Sequence, residues 1–117
     1  KVTGPYDVNS YAVTAAIAAL EDYEYISNYV LEVKKARCWI MNKFKNITIR
    51  SHFSGGNYFL IWPNKDPNQL EKEMRSRGIL IRNMTNKKYI EGSIRVSIGI
   101  KEQMEFFWQI YKELDIK

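Results

Sequence analysis

The run Ser93 to Ile98, SIRVSI, alternates without a break, with Ile94, Val96 and Ile98 on one side and Ser93, Arg95 and Ser97 on the other. Successive side chains of a strand leave on opposite faces, so this pattern predicts a strand with one covered face and one open face. It places Arg95 on the open face. A second short apolar run, Ile79 to Arg82, carries another arginine thirteen positions earlier. A guanidinium is a planar fork that matches carboxylate and phosphate oxygens two at a time, so two arginines on neighbouring strands can grip a substrate with two anionic ends. Taken singly, each arginine is also what the solvated side of a sheet ordinarily displays.

The rest of the chain supplies partners for such strands. Ser10 to Leu20 is alanine-rich, with Val13, Ala16, Ile17 and Leu20 at helical spacing behind Asn9 or Ser10 as a cap. Its small-residue, nearly all-round apolar surface predicts more than one covering neighbour. Asp22 caps a second helix to about Phe44, in which Tyr23, Ile26, Val30, Val33, Ile40 and Phe44 form a stripe. Arg37 interrupts that stripe and reads as a snorkelling side chain rather than a buried ion pair. Lys45 to Ile49 and Tyr58 to Trp62 read as an antiparallel strand pair around Ser54-Gly55-Gly56. Asp66-Pro67 opens a third helix, with Leu70 and Met74 facing inward and Gly78 closing it. After the polar stretch Asn83 to Gly92 and the alternating strand, a last helix from about Lys101 to Leu114 aligns Met104, Phe107, Tyr111 and Leu114.

The expectation is an α+β fold: a two-layer small domain, helices packed on a mainly antiparallel sheet of about four strands, preceded by a long helical segment. A chain of 117 residues, 45% hydrophobic, holds one core, so one domain is expected over 1–117, with 1–44 as helical lead-in and 45–117 as the α+β unit. The formal charge of +5 comes from 18 basic residues interspersed with 13 acids, not from a basic tail. The single Cys38 excludes an internal disulfide and, with the lone His52, leaves no Cys/His metal set; a cytoplasmic setting is expected. The sequons at Asn46 and Asn83 read as chance triplets, since neither a signal peptide nor a spanning apolar run accompanies them. One His, one Cys, no Gly-x-Ser-x-Gly and no phosphate loop give little with which to build a triad or a nucleotide site. The chain also opens at Lys1 without an initiator methionine, as expected of a processed product or a piece of something longer.

Four segments, in order, carry a resemblance. PYDVNSYAVTAAIAAL looks like a Pro-Tyr-x-x-Asn helix entry, GGNYFLIW like an Ala-Asn-Phe strand, RGILIRNM like an Arg-Gly-Ile-x-Val-Arg segment, and SIRVSIGIKEQMEFF like a Leu-Arg-x-(Ser/Thr)-x-Gly-Thr ending. With these the chain resembles the C-terminal small domain of class I/II, fold type I, pyridoxal-phosphate aminotransferases, most closely the histidinol-phosphate aminotransferase branch. The resemblance implies that Arg95 binds the substrate α-carboxylate, that Arg82 contacts a substrate phosphate, and that Asn57 is structural. Departures are Ile100 for a usual Thr or Ser, Met104 for a common Asn, and Tyr89-Ile90-Glu91-Gly92 in place of Pro-Gly before the second arginine strand.

In that family the Schiff-base lysine, an acidic partner and a phosphate cup sit on the large domain, and no lysine here lies in the family's Ser-x-Ser-Lys context. The resemblance therefore implies a parent enzyme using pyridoxal 5'-phosphate, a homodimer, acting between a donor such as glutamate and a phosphorylated or 2-oxo acid. This chain would contribute substrate-binding arginines and no catalytic residue. The same two arginines would serve a decarboxylase of threonine phosphate. A third reading is a small basic binding domain with YFLIW as a base-stacking platform, although no stretch matches the aromatic RNA-recognition motif; neither a nucleic-acid nor a membrane partner is expected.

Overall fold

Two side chains start the helices of this chain, which is described by a computed structural model over residues 8–116. Asn9 Oδ1 accepts from the Ala12 N–H at 2.8 Å and Asp22 Oδ1 from the Tyr25 N–H at 3.1 Å, each satisfying a donor that a first helical turn leaves free. They open α1 (Ser10–Glu21) and α2 (Tyr23–Lys45). Gly4-Pro5 and the Pro5-Tyr6 of the helix-entry motif lie outside the described residues. The chain divides into two compact units, Lys1–Leu31 and Glu32–Lys117. No residue of α1 is buried, so the covering neighbours expected for its small-residue face are not found among the described residues. The stripe along α2 is likewise buried only at Ala36, Ile40 and Phe44, whereas Tyr23 and Val30 are exposed, because the first unit contains no sheet to cover them.

The second unit is an antiparallel sheet under helices. Its strands are β1 (Ser51–Phe53), β2 (Tyr58–Ile61), β3 (Arg82–Asn83) and β4 (Ile94–Ser97), in the order β1-β2-β4-β3. Phe59 faces Val96 and Ile61 faces Ile94 across the β2–β4 pair, and all four side chains are buried. The second half of α2, with α3 (Pro67–Ser76) and α4 (Lys101–Asp115), closes over that face. Phe44 is the hub, its ring centroid 5.3 Å from Trp108, 5.6 Å from Tyr111, 5.7 Å from Phe59 and 6.1 Å from Phe53. Leu70, Met74, Met104, Phe107 and Tyr111 are buried as the helical spacing predicts, and Leu114 is half-buried.

Two strands lie later in the chain than their apolar pattern suggests. Lys45 to Ile49 is not a strand: α2 continues through Lys45 so that Phe44 can reach the hub, and Ile47 and Ile49 pack from a turn. Pairing starts at Arg50, whose carbonyl accepts from Trp62 N–H at 2.9 Å, and Phe53 stacks on Phe59 at 4.6 Å. Ile79 is likewise drawn into the end of α3. Gly78, at φ +80°, turns the chain so that its N–H bonds the Arg75 carbonyl and the Ile79 N–H the Met74 carbonyl, both at 3.0 Å. This doubly bonded helix stop favours glycine, which has no Cβ to clash in the left-handed region. The edge strand β3 therefore begins only at Arg82.

One side chain fastens α4 to the loop after β2. Asp115 is buried and accepts from Lys65 N–H at 2.7 Å, Asn64 N–H at 3.1 Å and the Tyr111 hydroxyl at 2.7 Å. Burial first, and then that bond to Asp115, push the Tyr111 phenol above its ordinary range. Asp115→Ala leaves three donors without their acceptor, each worth ~1–3 kcal/mol when buried. Urea unfolding is expected to register a loss of about 2–4 kcal/mol, and a loss below about 1 kcal/mol would show that the latch is not structural.

Candidate functional site

The strand register puts Arg82 directly opposite Arg95. The same row continues through Leu60, opposite Arg95, to His52, opposite Leu60, so one line of side chains crosses the sheet away from the helices. Tyr58 and Ser97 flank it at one end, and Arg50 and Trp62 at the other. Leu60 is buried on this side although it is separate from the main core. The two arginines named from the sequence are thus brought together as cross-strand neighbours, with Cβ atoms ~5 Å apart by the geometry of opposed residues.

Opposed like charges destabilise a strand pair, so their environment matters. Some other cations of the unit are paired, Lys65 with Glu73 at 2.6 Å and Arg77 with Glu113 at 2.7 Å, whereas no ion pair among the described residues involves Arg82 or Arg95. Arg95 is half-buried and lies over the Tyr58 ring, 5.4 Å from its centroid; Arg82 is exposed. Arg82 also borders a polar depression with Asn68, Asn83, Thr85 and Lys87, into whose rim Glu71 intrudes. There the Asn83 amide donates to Asn68 at 2.8 Å, while the Thr85 hydroxyl is buried with no partner among the described residues. Two arginines at opposed strand positions, with no ion pair to either among the described residues, could offer N–H groups to an anion with two or more oxygens.

The connection between the arginine strands is shaped by its departures. Tyr89 holds φ 74°, a left-handed conformation rare outside glycine, and is exposed; Gly92 follows at φ 72°. The Trp62 indole donates to the Glu91 carbonyl at 3.0 Å and the buried Ser93 hydroxyl to the Ile90 carbonyl at 2.6 Å. The connection is therefore tied down on the open face. Trp62 and Arg50, whose guanidinium lies 3.9 Å over the Trp62 ring, are the site neighbours that pattern reading missed; the unbroken apolar run YFLIW hid the outward side of its own strand. Arg37 neither simply snorkels nor forms an ion pair: it is half-buried and donates to the Ser54 carbonyl. Asn57 serves the backbone, its carbonyl accepting from Ile98 N–H at 2.7 Å. Gln103 accepts from the Ile100 N–H at 3.2 Å, and Ile100, lacking a hydroxyl, leaves that capping box half made.

No protein-family model matches the chain. Among solved structures with a similar fold, the crystal structure of L-threonine-O-3-phosphate decarboxylase from Porphyromonas gingivalis matches 91% of this chain and 34% of its own, with a TM-score of 0.65 at 20% identity. The histidinol-phosphate aminotransferase from Clostridium acetobutylicum matches 96% of this chain and 35% of its own, with a TM-score of 0.79 at 25% identity. A curated relative named histidinol-phosphate aminotransferase, from Citrifermentans bemidjiense, is 31% identical over 115 residues, covering 97% of this chain. The resemblance drawn from the four motifs therefore holds along nearly the whole chain, which is similar to about a third of the length of such aminotransferases.

Removing one of two opposed charges relieves repulsion. Arg82→Gln is expected to leave stability unchanged or raise it by ~0.2–1 kcal/mol at low ionic strength, with the gain shrinking as salt screens the pair. Urea unfolding at low and high salt reads this; a loss above about 1 kcal/mol would mean that Arg82 is held by the fold rather than held for a ligand.

Proposed function

We propose that this chain is the substrate-recognition domain of a pyridoxal-phosphate aminotransferase of the histidinol-phosphate type, in which Arg95 grips the substrate carboxylate and Arg82 a second anionic group, a phosphate. The observation that carries this reading is the direct opposition of Arg82 and Arg95 on the open face, with no ion pair to either among the described residues. A fold keeps such a pair at some cost, and a bound oxyanion repays it with charge-assisted hydrogen bonds of ~1.5–3 kcal/mol each. The Tyr58 ring, 5.4 Å from the Arg95 guanidinium, gives it an aromatic neighbour on the β2 side.

The residues on hand do not fit the cofactor itself. Among the described lysines only Lys43 and Lys65 are even half-buried; Lys43 lies over the Trp39 ring at 5.1 Å, and Lys65 is bonded to Glu73, whose carboxyl that hydrogen bond holds below its ordinary range. Lys87 shares the polar depression beside Arg82 with Glu71, but it is exposed. The reading accordingly assigns the Schiff-base lysine and the cofactor's phosphate cup to a larger domain outside these residues, in a cytoplasmic homodimer. A decarboxylase of a phosphorylated amino acid would use the same clamp; the amount of carbon dioxide released per amino group transferred separates the two.

In the whole protein, Arg95→Gln is expected to lower kcat/KM for the amino-acid substrate by about 100-fold, the equivalent of ~3 kcal/mol for a lost charged contact, while the cofactor's absorbance per protomer is unchanged. Turnover at the parent level with each amino acid tested would overturn the carboxylate assignment.

A further inference from the structure

On the far side of Arg95 from Arg82, the same face carries a second depression of about 290 Å³, lined by Arg50, Ser51, His52, Leu60, Trp62, Tyr89 and Ile90. Its features do not follow from the arginine pair. The Arg50 guanidinium lies over the indole of Trp62, 3.9 Å from the ring centroid, and none of the ion pairs among the described residues involves it. A guanidinium fixed on an aromatic face loses little further freedom when its outer N–H groups take up an oxyanion, and aromatic stacking and bidentate bonding use different parts of the group. Leu60 and Ile90 supply apolar wall, and Leu60 is the direct cross-strand partner of Arg95, so the depression abuts the carboxylate grip. Tyr89 also lines it, exposed and in the left-handed conformation that is strained for a residue with a side chain. The bond from the Trp62 indole to Glu91 places that strained turn beside the ring.

We propose that Arg50, Trp62, His52 and Tyr89 form a second subsite, which takes a flat apolar or aromatic group ending in an oxyanion. Arg50 grips the oxyanion, while Leu60, Ile90 and the Tyr89 ring receive the body. The proposal rests on the carboxylate role of Arg95. Arg50 sits two strands and two residues away from it, roughly 12 Å between Cα atoms from standard strand spacing and rise. Arg82 and Arg50 lie on opposite sides of Arg95, so two ligands sharing a carboxylate can send their far ends in different directions. A reaction that exchanges a group between two different acids has use for two such subsites, and this one would serve the acid with the larger, flatter body.

The test uses the isotopically labelled chain and two probes, phenyl phosphate and inorganic phosphate, followed through the Trp62 indole N–H and the backbone N–H groups of Arg50, His52 and Tyr89. Phenyl phosphate is expected to shift these signals saturably and to bind at least about fivefold more tightly than inorganic phosphate. Arg50→Gln should weaken phenyl phosphate about tenfold or more and Arg50→Lys nearly as much, because the charge survives but the fork does not, with both variants keeping the parent spectrum elsewhere. Arg95→Gln should alter phenyl phosphate binding less than about twofold while abolishing the response to acetate, so the clamp and the subsite fail independently. Equal affinity for the two probes, shifts centred on Arg82 and Lys87, or an undiminished response in Arg50→Gln would each overturn the subsite.

Discussion

Everything on the open face depends on the pairing of β2 with β4. Phe59 against Val96 and Ile61 against Ile94 must turn inward together, because the aromatic hub around Phe44 is built on them. The side-chain period of a strand is two, so a slip of one residue would send these groups into water and Arg95 into the core. The cost of that exchange, several buried apolar side chains plus one buried guanidinium, fixes the register far more firmly than any contact on the outer face does. Arg95 is thus oriented by residues that never touch it. Arg82 inherits its position from the same ladder through β3, a two-residue edge strand that the stop of α3 delays.

The local conflicts in this domain gather on one side. Its first three helices start on side-chain caps, five of its other cations find carboxylates, and its core rings meet at ordinary separations. Opposed arginines, a third arginine on an indole, a tyrosine at positive φ and a buried hydroxyl without a partner all sit on or beside the open face. Consistency elsewhere with conflict here is the distribution expected when a surface is kept for a ligand rather than for the fold. The chain is similar to aminotransferases over about a third of their length.

Sequence reading reached the α+β architecture because each core element has a strong period: SIRVSI at two, and α3 and α4 at three and four. It named Arg95 and Arg82 but not their opposition, since pairing depends on where β3 begins, and that is decided by the Ile79 N–H being spent on the Met74 carbonyl. The misplaced first strand has a similar origin. Lys45 to Ile49 alternates well enough, but the need to bring Phe44 to the hub extends the helix over its start, and this tertiary demand leaves no local trace. Arg50 and Trp62 were obscured differently, each lying at the margin of a strand whose apolar neighbours gave no hint of a functional outer face.

That Arg82 and Arg95 act as one clamp is best measured by a double-mutant cycle on the chain, titrating a small dianion that carries both a carboxylate and a phosphate, such as phosphoserine, into the parent, Arg82→Gln, Arg95→Gln and the double variant. Two grips on one ligand predict that each single change weakens binding about tenfold or more and that the cycle closes with a coupling energy of roughly 0.5–3 kcal/mol. Losses that simply add, or a single variant that binds as well as the parent, would contradict it and leave two independent surface arginines.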